Sequence, residues 1–110
     1  MKVNLYRLHL GRIRGTKGRA VSDSAFANFL AAYVTPRFPG FTVLESAGHW
    51  ERNAERSCVL EILAPESAEP WVREIADAYC RECRQDSVLW YGVPAGHTNL
   101  ATLSERTQAA

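Results

Sequence analysis

The chain begins with a segment in which apolar and polar side chains alternate. Over residues 2–10, Tyr6, Leu8 and Leu10 share one side of an extended backbone. This two-residue period predicts a half-buried strand. Three further segments, rich in apolar and β-branched residues, are predicted strands as well: 41–50, 57–65 and 86–93.

Two other segments carry the period of an amphipathic helix. In the first, apolar side chains recur at helical spacing from Phe26 to Val34, and Ser22 precedes them as a candidate N-cap. Pro36 lies near the predicted end of this helix. In the second, Pro70 lies in the first turn, where its missing N–H costs little, and an apolar stripe runs over 72–83.

The predicted order of elements is therefore β-α-β-β-α-β. This order is typical of an α+β, ferredoxin-like fold, with a four-stranded antiparallel sheet and both helices on one face. Right-handed crossovers place strands 1 and 3 in the centre of the sheet. The polar residues 51–56 predict a hairpin with a longish tip. We expect one domain over residues 1–93 and a polar, loosely attached tail over 94–110.

Composition limits the classes of function. The chain has 110 residues, a net charge of +1, 46% apolar and 23% charged residues, which is typical of one globular domain. The near-zero charge makes nucleic-acid binding unexpected, and no apolar run approaches the ~20 residues of a membrane span. Three cysteines, an odd number, argue against a disulfide framework. We expect a cytoplasmic protein without a membrane association.

Cys80 and Cys83 form a Cys-x-x-Cys motif, a spacing shared by zinc ligands and redox dithiols. Both fall on the apolar stripe of the second helix, and free cysteine packs as a small hydrophobic residue. A structural zinc site needs four ligands, whereas the chain has only one cysteine, Cys58, besides the two of the motif. We therefore predict core residues and no metal or cofactor; metal binding is the less favoured alternative.

The segment 11–19 is a basic, glycine-rich loop that precedes a helix N-terminus. Such a position favours anions, so the loop is a candidate site for phosphate or another small anion. A loop kept in solution by its charges is the competing interpretation. The candidate ligand-binding cations are Arg12, Arg14, Lys17 and Arg19.

The tip of the predicted hairpin is a second candidate site. A tryptophan near a loop is buried or used for contact, and histidine and arginine beside it supply acid–base and anion-binding groups. The alternative is that the tryptophan anchors the hairpin to the body. The candidate contact residues are His49, Trp50 and Arg52.

The face of the sheet away from the helices is a third candidate site. A mixed apolar and charged face is not expected to stand bare in water. We favour an isologous oligomer, with a dimer first, in which this face packs against a second copy. A cleft with His9 and Glu61 as acid and base is the alternative. The residues assigned to this face are Leu5, Arg7, His9, Glu45, Glu61 and Trp90.

Three segments carry a resemblance to a known family. Residues Thr35–Leu44, Gly48–Trp50 and Gln85–Leu89 resemble the "TPRFP-GFTVL", Gly-x-Trp and "QDSVL" segments of small bacterial proteins of unknown function. The likeness spans about residues 5–93 and implies a ferredoxin-like fold, with no activity or site residues. The strand order is also shared, more loosely, with PII-like signalling proteins and dimeric α/β-barrel proteins, which is an analogy of fold only.

Taken together, these features predict a non-catalytic, self-associating domain that binds a small anionic ligand or a protein partner. An enzyme of the dimeric α/β-barrel type is the first alternative, with Arg7, His9 and Glu61, or His49, near the chemistry. The second alternative is a small protein-interaction inhibitor, such as a phage-type counter-defence module, with Trp50 and Trp90 as its contact residues.

Overall fold

The computed structural model describes residues 2–14 and 18–101, with residue 50 described by its backbone alone. Four strands and two helices follow one another in the predicted order. Their bounds are β1 Val3–Gly11, α1 Asp23–Phe29, β2 Thr42–Trp50, β3 Asn53–Pro65, α2 Glu69–Glu82 and β4 Leu89–Pro94.

The sheet is fully antiparallel and has the order β2-β3-β1-β4. The predicted α+β, ferredoxin-like fold is thus confirmed, including the central position of β1 and β3. Tyr6, Leu8 and Leu10 of β1 are completely buried beneath the helices, together with Leu60 and Ile62 of β3. The core lies between this face of the sheet and the two helices, and the other face has no layer over it among the described residues.

The first helix begins where its capping signal predicts. Ser22 Oγ accepts a hydrogen bond from the backbone N–H of Ala25 at 3.1 Å, and Asp23 occupies the first turn. The helix then continues as a wider π-helical turn over Leu30–Val34, which closes with a bond from Thr35 N–H to Leu30 O. The predicted apolar stripe lies in the core, since its residues Phe26, Phe29 and Val34 are buried.

The second helix follows a short 3₁₀ turn over Glu66–Ala68. Its buried face contains Val72, Ile75 and Tyr79, as the helical spacing predicts. Cys83 ends the helix and is buried, whereas Cys80 is half-buried. The apolar period therefore located this helix and its buried side correctly.

The tip of the β2–β3 hairpin differs from the prediction. It consists of two residues, Glu51 and Arg52, whose φ angles are 47° and 68°. The expected longer tip is wrong because the strands continue through the polar segment. β1 pairs with β3 only as far as Gly11 opposite Ser57, so the outer hairpin has no third strand and no core behind it. Polar residues suit both faces of such a ribbon.

Beyond β4 the chain remains attached for a short distance, because Ala95 N–H donates to Val3 O at 2.9 Å. The polar tail over 94–110 stays a prediction, and its residues 102–110 lie outside the described part of the chain. Within the described residues, neither helix combines the length and the apolar character needed to cross a bilayer. The predicted compartment also stays a prediction.

Candidate functional site

The side of the sheet that faces away from the helices, called here the open face, is built by alternate residues of all four strands. In register, Arg7 lies opposite Glu61 on β3 and Tyr91 on β4. His9 lies opposite Val59 and Leu89 in the same way. The described side chains of the open face include the polar Thr42, Ser46 and Ser57, together with Leu5, Arg7, His9, Leu44, Val59, Glu61, Leu63, Leu89, Tyr91 and Val93.

A polar cluster occupies the centre of the open face. Arg7 Nε donates to Glu61 Oε2 at 2.7 Å. The Glu61 carboxylate, followed by the nearby Tyr91 phenol, raises the pKa of the Arg7 guanidinium above its usual value. The His9 ring packs beside that of Tyr91, with the ring centroids 5.8 Å apart. The cluster contains one positive and one negative charge, which cancel.

Apolar side chains surround this cluster and remain in contact with solvent. Leu89 is 64% exposed, Leu63 48% and Leu44 46%, and Tyr91 and Val93 are exposed to a similar degree. Large apolar side chains exposed together on one surface mark an interaction site more often than isolated ones do. The open face is therefore the strongest candidate for a functional surface in the described part of the chain.

Two residues assigned to this face from the sequence lie on the opposite, helix-facing side. Glu45 pairs with buried Cys58, and its Oε1 accepts a bond from Arg56 at 3.2 Å. Trp90 pairs with buried Leu8 and packs against the core. The assignment of both residues to the open face is wrong, because a strand shifted by one residue exchanges its faces. Leu5, Arg7, His9 and Glu61 do lie on the open face.

The basic loop does not present its cations as one cluster. Arg12 is 3% exposed, and its Nη2 donates to Val21 O at 2.9 Å and to Asp23 Oδ1 at 2.8 Å. Its guanidinium also lies 4.5 Å from the centre of the Phe26 ring. The predicted ligand-binding role of Arg12 does not fit this burial, since its donors are already used within the protein. Arg12 instead connects the loop to the start of α1.

The other three cations of the basic loop, Arg14, Lys17 and Arg19, have no common partner among the described residues. Arg14 Nη1 donates to the carbonyl of Glu82 near the end of α2, at 2.9 Å. Arg19 is exposed, and Lys17 lies outside the described residues. The ligand-binding roles proposed for these three residues stay predictions.

The hairpin-tip residues are also distributed over different surfaces. His49 is exposed and belongs to the helix-facing side of β2, since its partner is Ala54. Arg52 forms part of the two-residue turn, and the side chain of Trp50 lies outside the described part of the structure. Their predicted contact roles remain untested.

The cysteine motif has the environment of packed thiols. Burial raises the pKa of the Cys83 thiol, and burial with the nearby carboxylates of Asp77 and Asp86 raises that of Cys80. A raised pKa disfavours the thiolate that metal binding and thiol chemistry require. Among the described residues, no three His, Cys, Asp or Glu side chains are close enough to hold a metal ion.

The apolar residues of the outer strands were missed by the sequence-based assignment of the open face. Leu89, Tyr91 and Val93 alternate along β4, and that alternation was visible in the sequence. The sequence did not show which of the two sets of alternate β4 side chains faces the helices, because only the pairing of β4 with β1 decides this.

Solved structures of similar fold were found at low sequence identity. A DUF3240 family protein from Shewanella baltica has 12% identity and a TM-score of 0.62, covering 93% of this chain and 99% of that one. CutA1 from Oryza sativa has 11% identity and a TM-score of 0.59, with coverages of 90% and 84%. A phage SAM lyase in complex with S-methyl-5'-thioadenosine has 15% identity and a TM-score of 0.57, with coverages of 89% and 93%. Identities this low establish a shared fold and nothing further.

No curated protein matches the chain. A family model does match, over residues 5–98, and its description is a protein of unknown function, DUF3574. This agrees with the resemblance to an uncharacterised family, although the three segments on which that resemblance was based are not themselves tested. The chain belongs to the DUF3574 family of proteins of unknown function.

Proposed function

We propose that this protein is a non-catalytic, self-associating domain whose open face packs against the open face of a second copy. The observation that carries the proposal is the group of exposed apolar side chains around a neutral ion pair. Leu63 and Leu89 are about half and two thirds exposed in one chain, and a second copy would remove them from water.

The size of the open face suits a dimer. The sheet has four strands, so with a spacing of about 4.8 Å it is about 19 Å wide. β1 has nine residues and is about 30 Å long. The footprint is therefore at most about 570 Å² per copy, or about 1,100 Å² for two, because β4 has only six residues. This area lies below the range of about 1,200–2,000 Å² that is typical of stable interfaces, and it suits a weak dimer.

The charges of the open face are compatible with an identical partner. In an isologous dimer the same patch meets itself, so a net charge on the patch would repel the second copy. Arg7 and Glu61 neutralise each other within each chain. A partner of opposite charge is not required, and the apolar surround can make contact without leaving an unpaired charge in the interface.

The alternative functions have less support. An anion site in the basic loop loses Arg12 to the protein interior. An acid–base pair of His9 and Glu61 has its carboxylate already bound by Arg7. An inhibitor module would lose Trp90 as an exposed contact, because that side chain packs against the core.

Sedimentation equilibrium over a range of protein concentrations tests the proposal. We expect the wild type to reach twice the chain mass of 12.3 kDa. Leu63→Glu introduces a charge into the open face and is expected to weaken association at least tenfold. Leu100→Glu is the matched control, because Leu100 is exposed but lies outside the sheet, and it should associate as the wild type does.

A wild type that keeps the mass of one chain up to high micromolar concentration would refute the proposal. The open face would then be left for a different protein. Equal association by the two glutamate variants would also refute it, since association would then use another surface.

A further inference from the structure

β2 forms one edge of the sheet, and half of its residues direct their backbone groups away from β3. The alternation follows from the hydrogen bond that Arg12 N–H donates to Arg56 O at 3.0 Å. In an antiparallel sheet, residues that bond to the strand on one side alternate with residues that bond to the strand on the other side. Arg56 and every second residue of β3 therefore bond toward β1, and the residues between them bond toward β2. The residues of β2 whose backbone points outward are Val43, Glu45, Ala47 and His49.

Each of these four residues has one N–H donor and one C=O acceptor at the outer edge. Among the described residues, no backbone hydrogen bond from a loop, turn or helix end reaches them. The side chains of Glu45, Ala47 and His49 are exposed, so water has access to this edge. A row of unpaired backbone groups at a sheet edge is a template for the addition of another strand.

The opposite edge of the sheet is protected, and β2 is not. Ala95 N–H donates to Val3 O, so by the same alternation Trp90, Gly92 and Pro94 point outward from β4. β4 is only six residues long and ends in a proline, which has no N–H to offer. Short edge strands and prolines are devices that prevent the addition of a strand. β2 has nine residues without proline or lysine, and its register with β3 continues unbroken from end to end.

We propose that the outer edge of β2 pairs antiparallel with the same edge of a second copy, so that two four-stranded sheets become one. A two-fold axis at Ser46 would bring all four outward residues into bonded pairs, up to about eight hydrogen bonds. Val43 would lie opposite His49 of the other copy, and Glu45 opposite Ala47. An axis at Glu45 would instead place two like carboxylates opposite each other, which is unfavourable.

This contact is separate from the open-face contact and does not depend on it. Edge pairing uses backbone groups of β2, whereas the open face uses side chains of all four strands. The two-fold axis at Ser46 is perpendicular to the sheet, so the open faces of the two copies lie on the same side. Both contacts can therefore form together, and at concentrations above those of the open-face dimer they would join four chains.

Amide hydrogen exchange of the whole chain, followed by NMR at low and high protein concentration, tests the pairing. The N–H groups of the four outward residues are in water in a single chain and would be bonded in the pair. We expect their exchange to slow by at least about tenfold as the concentration rises. The N–H groups of Trp90 and Gly92, on the protected edge, are the internal control and should exchange rapidly throughout.

Three variants test the partner and the register. Ala47→Glu places a carboxylate opposite Glu45 of the other copy and should abolish the slow exchange, because like charges directly opposite each other repel. Ala47→Lys places an ammonium group there and should keep it. Ala54→Glu is the matched control, because Ala54 is exposed on the same side of the hairpin but belongs to β3. Far-UV circular dichroism verifies that each variant is folded.

Rapid exchange of the four amides at every concentration would overturn the proposal, even in a chain that associates through its open face. The β2 edge would then be left for a strand of a different protein. Slow exchange that is independent of concentration would also overturn it, as would slow exchange that survives in Ala47→Glu or is lost in Ala47→Lys. A chain that keeps the mass of one copy at all concentrations would overturn both the edge contact and the open-face contact.

Discussion

Replacement of Arg12 by alanine is the most informative single change to the fold. Nε and Nη2 of Arg12 both donate to Val21 O, at 3.2 and 2.9 Å, and Nη2 also reaches Asp23 Oδ1. The guanidinium lies against the ring of Phe26. Alanine removes all of these contacts and leaves a space beside the carbonyl of Val21, which is shielded from water.

The expected loss in the free energy of unfolding can be built from these contacts. A buried carbonyl without a donor costs about 1–3 kcal/mol, and the contact with the Phe26 ring adds roughly 1–2 kcal/mol when it is desolvated. Asp23 is largely exposed, so its ion pair adds little. The sum is about 2–5 kcal/mol, a large part of the 5–15 kcal/mol that is typical of a whole domain.

Urea unfolding followed by far-UV circular dichroism measures this loss. Arg19→Ala is the matched control, because Arg19 belongs to the same basic segment but is exposed, and its loss should stay within about 0.5 kcal/mol. Arg12→Lys keeps the charge but not the pair of donors on Val21 O, and should recover only part of the loss. A loss below about 1 kcal/mol for Arg12→Ala would refute the reasoning, because the buried contacts would then be worth less than the smallest of the costs above.

Three further changes test other parts of the structure. Gly92→Ala places a Cβ 2.6 Å from a ring carbon of fully buried Tyr6, so it should lower the free energy of unfolding by about 1–3 kcal/mol in thermal unfolding. Gly96→Ala is the control and should lower it little, because a Cβ there would have no atom within 4 Å. Equal losses in the two variants would contradict this prediction. Replacing Glu51–Arg52 by Asn-Gly relieves two left-handed residues and should raise the free energy of unfolding by about 1–2 kcal/mol, and an unchanged urea midpoint would argue against strain in the turn. The hydrogen bond that Arg12 donates to Asp23, followed by the charges of Arg56 and Arg12, lowers the pKa of the Asp23 carboxyl group. The Asp23 carboxylate therefore stabilises the fold at pH values above the pKa of this group in the unfolded chain. The stability difference between wild type and Asp23→Asn should therefore be present at neutral pH and shrink as pH falls through the lower, folded-state pKa, and a difference that is constant with pH would contradict the lowered pKa.

The elements that were predicted well are those with a strong local signal. Ser22 caps α1 through its own side chain, a contact that needs only three neighbouring residues. The alternation in β1 identified Tyr6 and Leu8 as buried, because a central strand has one fully covered face. β2 and β4 are edge strands that carry apolar side chains on both faces, so their alternation did not show which face meets the helices.

The candidate site was predicted only in its central part. Arg7, His9 and Glu61 were placed together on the open face because they belong to the two central strands, whose phase was clear. An anion-binding role was predicted for Arg12 because it lies beside other cations in a basic, glycine-rich loop. Its actual partners are Val21 O, just before α1, and the Phe26 ring within α1, and only the folded chain shows these contacts.

The order of the elements, the start of α1 and the phase of the central strands could be predicted from the sequence, because they depend on side-chain periods and on one cap formed within a few residues. The tertiary structure alone decided the phase of β2 and β4, the burial of Arg12 and the surroundings of His9. Each of these depends on which distant segment lies alongside. A one-residue change of register exchanges the two faces of a strand without changing its composition.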